Sequence, residues 1–428
     1  MKYIRIKNSG IIEPQALYLV GASTKRGDHT KIGQFGSGNK YALAYLLRNG
    51  YQVKVFAGLE ELTIHTEKEK FRDQEFEIIY VNGSKTSITT EMGKDWEFWQ
   101  AIREIYCNAK DEGNCTLEFV QNFEPKADET HFYIDTKHDV FEFMSNYDNY
   151  FSFEKKVLFE CEDGRILEKT GSHVNVYRKG INCFKTTLDS VFDYDFSEIT
   201  IDENRLVKYS WQVEEKIWSL IYQCNNKDVI MQILHQCSND KKIESNISSW
   251  SDISCKNPSE TFIKCLKESR LCPLGYAGML KPDEVMNHIL IPTRIFQELR
   301  GLIADENVGD KFKTTKTGVY YRELETITAL YDATINKALD FLKEVHFDMN
   351  YPIKVALFDE KEVMGTVQYE TIILSDICVK KGINEVVNTI IEEYIHIKYQ
   401  VFDETRGFQT AIISELITYM KNVNTHLF

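Results

Sequence analysis

Three glycines within six residues, Gly33, Gly36 and Gly38, lie directly before an apolar run in KIGQFGSGNKYALAYLL (31–47). Such a segment must turn tightly and then enter a helix, because glycine supplies backbone conformations that other residues adopt only at a cost. From this stretch alone, two uses of the turn stay open. One is a simple connection between elements. The other is a close approach of backbone N–H groups to an anion, since amides at a helix start, flanked by Lys25, Lys31 and Lys40, suit a polyphosphate. The common phosphate motifs do not fit: no GxxxxGK[ST] occurs, and the GxxGxG order follows a basic loop rather than a strand.

A second segment, DWEFWQAIREIYCNAKDEG (95–113), predicts an amphipathic helix capped by Asp95. Phe98, Trp99, Ile102, Ile105, Tyr106 and Ala109 form one apolar face. On the other side Glu97, Glu104, Asn108 and Asp111 fall within about 60° of each other. A solvated outer face is the ordinary use of such a stripe. A carboxylate and a carboxamide at i, i+4 can also act as a water-activating base and a Mg²⁺ ligand.

At these residues a resemblance becomes specific. REIYCNAKDEG is similar to the N-box of the GHKL ATPases, E-x-x-x-N-x-x-D, and GASTKRGDHTKIGQFGSGNK resembles their lid segment and glycine box. Within the superfamily the chain looks most like the Microrchidia ATPases and the ninety-kilodalton heat-shock chaperone, over about residues 1 to 120. The resemblance implies an ATP-binding protein, a slow Mg²⁺-dependent ATPase that works as a nucleotide-driven switch. Glu104 would be the general base, and Asn108 would ligate the Mg²⁺ on the nucleotide, with Asp111 completing the motif. Gly33, Gln34, Phe35, Gly36, Ser37 and Gly38 would form the phosphate-facing box, with Lys40 beside it and Lys25 in the lid. Two departures accompany this. The glycine box precedes the N-box here, which implies a circular permutation. The family's D-x-G-x-G aligns with Asn8-Ser9-Gly10-Ile11-Ile12, so Asn8 stands where an Asp would accept the adenine amine; its carbonyl oxygen can still accept, without the charge.

Near the C-terminal end, NEVVNTIIEEYIHIKYQ resembles the HExxH helix of zinc metallopeptidases with the first His replaced by Glu. Residues at i and i+4 share a helix face, so Glu392 and His396 could hold one Zn²⁺. The resemblance puts Glu393 in the general-base slot. Glu415 lies 19 residues after His396, a separation resembling that of the third gluzincin ligand. A partly buried histidine beside a solvated acidic stripe is the alternative.

The 428 residues suggest about two or three domains. A formal charge of −14 excludes a broad cationic surface for nucleic acid. No apolar stretch has the length of a membrane span, and the first residues lack a signal-peptide core. Ten cysteines without a CxxC pair fit reduced thiols in the cytoplasm. Strand patterns in YQVKVFAG, ELTIHT, FEIIYVNG, CTLEFV, HFYID, HVNVYRKGI and SEITID alternate with helical ones, and the pattern turns helical after Leu206. The expected class is α+β: a permuted GHKL-like two-layer sandwich with a sheet extension over 1–205, a mainly helical region over 206–316 and a zincin-like α/β domain over 317–428. Arg178, Lys179 and Arg205 serve as surface ion pairs or, as the resemblance implies, include a cation reaching the γ-phosphate. The expected partners are the nucleotide and either a protein or a second copy, with no membrane. Two rival readings remain: a metal-dependent hydrolase using the C-terminal site, and a scaffold that keeps both folds without turnover.

Overall fold

The computed structural model describes residues 2–19, 31–33, 36–202, 204–254, 256–280, 287–303, 312–315, 318–347, 349–401 and 405–423. The chain is α+β and divides into two compact units, 1–216 and 217–428. The regions expected as 206–316 and 317–428 thus share one unit apart from the first residues of the former.

In the first unit, alternation of side chains builds the central sheet. Strand β1 (Tyr3–Ser9) buries Ile4 and Ile6 on one face, while Tyr3 joins an aromatic cluster with Phe56 and Tyr133 on the other. Asn8 continues the Ile4–Ile6 face, so the two-residue period of the strand delivers it to that side. Helix α1 (Gly38–Arg48) follows, then β2 (Val53–Ala57), β3 (Glu60–Leu62), and a three-stranded meander of β4 (Ile64–Phe71), β5 (Gln74–Val81) and β6 (Ser84–Thr89). ELTIHT, expected as one strand, is therefore divided between β3 and β4. Helix α2 (Phe98–Glu112), β7 (Thr116–Val120) and β8 (Glu129–Asp135) complete an antiparallel sheet of order β3-β2-β8-β1-β7. Helices α1 and α2 pack on each other, and Leu43, Leu46, Ile102 and Ile105 share a core with Ile4, Ile6, Val55 and Ile134.

All six residues of the expected apolar face of α2 are buried, as the helical spacing requires. The cap differs from the expectation. Asp95 lies outside the helix; Glu97 is the N-cap and Gln100 answers it in a reciprocal capping box. The Glu97 side chain, expected on the acidic stripe, is thus spent on the helix terminus.

After α3 (His138–Ser145) and the short α4 (Tyr147–Tyr150), a second sheet of order β12-β11-β13-β10-β9 is formed by β9 (Val157–Cys161), β10 (Gly164–Leu167), β11 (Val176–Arg178), β12 (Ile181–Asn182) and β13 (Asp193–Phe196). Its polar interior is neutralised locally: Lys155 pairs with Asp193, and Asp195 meets Arg165 and Ser152. SEITID is not a strand; Ile201 makes one isolated bridge to Val207. The turn after it brings Arg205 to a left-handed φ of 63°.

Helix α5 (Ser210–Gln223) contains the division between units. The second unit has α6 (Lys227–Gln236), α7 (Glu260–Glu268), the paired β14 (Leu271–Pro273) and β15 (Ile289–Ile291), and α8 (Thr293–Leu299). A mixed sheet of order β16-β17-β18-β20-β19 follows, from β16 (Lys313–Thr314), β17 (Tyr320–Glu323), β18 (Ile353–Phe358), β19 (Gly365–Gln368) and β20 (Thr371–Ser375). It is covered by α9 (Ala329–Glu344), α10 (Asp376–Lys381) and α11 (Ile383–Tyr399), with α12 (Arg406–Val423) against α11. No helix among the described residues is long and apolar enough to cross a membrane.

Because the capping box fixes the first turn of α2, Glu97→Ala should cost about 1 kcal/mol in urea unfolding. Gln100→Ala should cost a similar amount, and the double variant less than the sum. Additive losses would show that the two side chains act separately.

Candidate functional site

The polar side of α2 faces into the protein. Glu104 is 5% exposed, so at its centre the acidic stripe is not the solvated outer face that was the ordinary alternative. One carboxylate oxygen accepts from Arg205 Nε at 2.8 Å and from Arg103 Nε at 2.9 Å, and the other accepts from Arg205 Nη2 at 2.9 Å. Burial alone would raise the carboxyl pKa, but the adjacent Arg205 and Arg103 outweigh it and hold the pKa down at about 2. Burial likewise opposes the charge on Arg205, yet Glu104 more than offsets this and raises its pKa above the ordinary arginine value. Arg103 also lies against the Trp96 and Trp99 rings, at 5.7 and 5.3 Å.

Opposite this cluster stands the glycine turn. Gly38 opens α1, and a Cβ there would sit 2.1 Å from Glu104 Oε2. The absence of a side chain is therefore demanded by Glu104 itself. Gly36 has a φ of 71°, a left-handed turn that glycine adopts at no steric cost. Lys40, 4% exposed, donates from Nζ to the Gly36 carbonyl at 2.9 Å, and burial pushes its pKa down.

Asn108, one helical turn beyond Glu104, donates from Nδ2 to Asn39 Oδ1 at 2.8 Å. That bond directs the amide nitrogen at Asn39 and makes Oδ1 the oxygen able to meet a cation. Asp111 accepts the backbone N–H groups of Ile32 and Gly33, each at 2.8 Å, and its own carbonyl accepts from Lys31. The Gly33 amide, expected to face a phosphate, is thus held by the Asp111 carboxylate. Arg205 adds a third tie, donating from Nη1 to the Ile32 carbonyl at 3.0 Å.

These groups surround a cavity of about 440 Å³, within the range of small-ligand sites. Gly33, Gly36, Gly38, Asn39, Lys40, Glu104, Asn108 and Arg205 line it together with Asn8, Gly10 and Ile12. At that far side the Asn8 amide nitrogen donates to the Ser9 carbonyl at 2.7 Å, which leaves its oxygen as the acceptor. Thr130 Oγ1 accepts from Ile12 N at 2.8 Å and donates to Gly10 O at 2.7 Å. Ser37 does not line the cavity, and Lys25, Gln34 and Phe35 lie outside the described residues. Arg103 and Asn39 were not anticipated from sequence. Arg205 was one of three basic candidates; Arg178 and Lys179 both pair with Glu198 instead.

The C-terminal candidates are arranged differently. Glu392 on α11 is exposed, and Glu393 is buried against Gly365 of β19. His396 shares a hydrogen bond from Nδ1 with the Val401 carbonyl at 2.7 Å and stacks on Phe408. Glu415 accepts from Lys398 Nζ at 2.8 Å and from the Tyr399 hydroxyl at 2.7 Å. Among the described residues no group of three or more His, Cys, Asp or Glu side chains is placed to hold a metal ion. The described cysteines are all free.

No protein-family model matches this chain, and no curated protein matches it either.

The buried carboxylate sets a pH signature. Its folded pKa lies below its unfolded value near 4.5, so its contribution to stability is complete above about 4.5 and is lost as the pH falls toward about 2. Through this proton, stability should fall by up to about 1.4 kcal/mol per pH unit in that window. Glu104→Gln should be about 3–5 kcal/mol less stable at neutral pH, with two buried guanidinium groups uncompensated, and should show a shallower acid slope. Urea unfolding between about pH 5 and 3 reads both; equal slopes for the two proteins would contradict the assignment.

Proposed function

We propose that the first unit is a nucleotide-binding switch: an ATP-binding site of permuted GHKL type with slow Mg²⁺-dependent hydrolysis. The observation that carries this reading is the convergence of Glu104 and Asn108 on α2 with the Gly36–Gly38 turn and Lys40 around one cavity. The site is bipolar. Lys40 and Arg205 lie at the glycine turn, where a polyphosphate would need positive charge and backbone donors. Asn8 presents a carbonyl oxygen on the far side, suited to the exocyclic amine of adenine.

Asn108 fits a Mg²⁺ ligand, because its nitrogen is committed to Asn39 and a hard cation takes oxygen. A bound Mg²⁺ would neutralise phosphate charge. Glu104 is the group able to accept a proton from an attacking water. While it is bridged by Arg205 and Arg103 at a pKa of about 2 it is a poor base, so turnover requires the Arg205 contact to open first. That requirement supports slow hydrolysis limited by a conformational step.

The same contacts supply a switching route. The segment at Ile32 and Gly33 is tied to α2 through Asp111 and to Arg205 through the Ile32 carbonyl. A ligand that draws Arg205 toward phosphate oxygens would move this segment and the turn that follows the second sheet together. A hydrolase centred on α11 has no comparable support, since Glu415 is engaged by Lys398 and Tyr399.

Calorimetric titration of ATP tests the reading. Binding should strengthen at least about tenfold with Mg²⁺, and Asn108→Ala should abolish that gain while leaving Mg²⁺-free binding largely intact. Any hydrolysis should fall to background in Glu104→Ala and persist in Glu393→Gln. Binding indifferent to both Mg²⁺ and Asn108→Ala would remove the assignment.

A further inference from the structure

We propose that Asn39 is a positioning residue of the cavity in the first unit, a role that rests on the nucleotide-binding reading of that cavity. It sets which end of the Asn108 carboxamide faces the ligand, and it gives its own amide nitrogen to a phosphate oxygen of the same ligand. Cation and polyphosphate are thereby recognised as one unit.

Gly38 has no side chain, so the first turn of α1 can lie close against α2, where Asn39 reaches Asn108. Asn39 is 8% exposed and lines the cavity beside Lys40, Glu104 and Asn108. One hydrogen bond joins the two side chains, from Asn108 Nδ2 to Asn39 Oδ1 at 2.8 Å. A carboxamide carries an acceptor oxygen and a donor nitrogen. The bond therefore uses the nitrogen of Asn108 and the oxygen of Asn39. It leaves the oxygen of Asn108 and the nitrogen of Asn39. Among the described residues neither remaining atom makes a hydrogen bond, and neither is sealed from the cavity. A bridge that served packing alone would gain nothing from them. Polar groups taken from water without partners cost free energy, and an apolar pair would join the two helices without that cost.

The two remaining atoms are of opposite sense. An oxygen suits a hard cation, and an N–H suits an anionic oxygen. A Mg²⁺-bearing polyphosphate presents both complements side by side. The two atoms are also coupled. If Asn108 turned its nitrogen to the cavity, its oxygen would face the oxygen of Asn39, and Asn39 would have to turn as well. The pair thus has two arrangements, and only one of them offers a cation the Asn108 oxygen. In that arrangement Asn39 is a donor. A metal-free polyphosphate can take an N–H from either arrangement, so the coupling is felt only with the metal. Lys40 and Arg205 cannot supply it, because both are donors alone.

Two substitutions separate the two roles. Asn39→Asp keeps an acceptor for Asn108 and removes the donor, whereas Asn39→Leu removes both. Calorimetric titration of the full chain with ATP, with and without Mg²⁺, reads the difference. In Asn39→Asp the Mg²⁺-free affinity should fall more than about tenfold, because a carboxylate then faces phosphate, and the gain from Mg²⁺ should stay at least as large as in the wild type. In Asn39→Leu the Mg²⁺-free affinity should change less than about threefold, while the gain should shrink about fivefold, because Asn108 is no longer held oxygen-first. A distorted pocket would instead lower both affinities together and leave their ratio unchanged. Should Asn39→Leu fail to fold, Asn39→Asp decides alone. A gain that persists undiminished in Asn39→Leu, or one that disappears in Asn39→Asp, overturns the role of Asn39 and leaves the nucleotide site standing. Wild-type binding indifferent to Mg²⁺ removes both.

Discussion

The site depends on one buried carboxylate. Taking Glu104 out of water costs several kcal/mol, and two guanidinium groups with three short hydrogen bonds repay most of it. Such a cluster adds little net stability over apolar residues of the same volume. What it fixes is geometry. Arg205 cannot keep its bidentate grip unless the turn after the second sheet sits against α2, and Gly38 cannot approach unless it lacks a side chain. The carboxylate thereby holds three separate stretches of chain in register around a common cavity.

Those stretches lie far apart in sequence, which explains what could be read from it. The apolar face of α2 was legible because helical spacing depends on local geometry alone, and every residue assigned to it is buried. The glycine turn was legible as a turn for the same reason. The partner that makes Gly38 obligatory was not, because a contact between residues 38 and 104 is tertiary. Arg205 stood in the sequence as one of several cations, and only long-range packing separates it from Arg178 and Lys179, which end on Glu198.

Capping and edges escaped for a related reason. Asp95 and Glu97 both suit the start of a helix, and the choice fell to Glu97 because Gln100 lies where it can reciprocate. SEITID alternates like a strand, yet the preceding residues, Asp193–Phe196, take the central place in the second sheet. There the buried acids are answered by Lys155 and Arg165, pairings that no periodicity announces. At the other end of the chain, Glu392, His396 and Glu415 have metal-ligand spacing, but spacing along one helix leaves the third group's partners undetermined, and Lys398 and Tyr399 claim it.

The contacts that organise the cavity also limit what it can do. A carboxylate clamped by two arginines is structurally useful because it does not give up its charge, and a general base must accept a proton. The two demands are met by the same oxygens and cannot be met at once. On the proposed reading, chemistry at Glu104 would need a state in which Arg205 holds another anion, and a polyphosphate would be such an anion. Under that proposal, stability and activity would be alternatives of one ion cluster: the contacts that hold the site assembled are those a ligand would have to release.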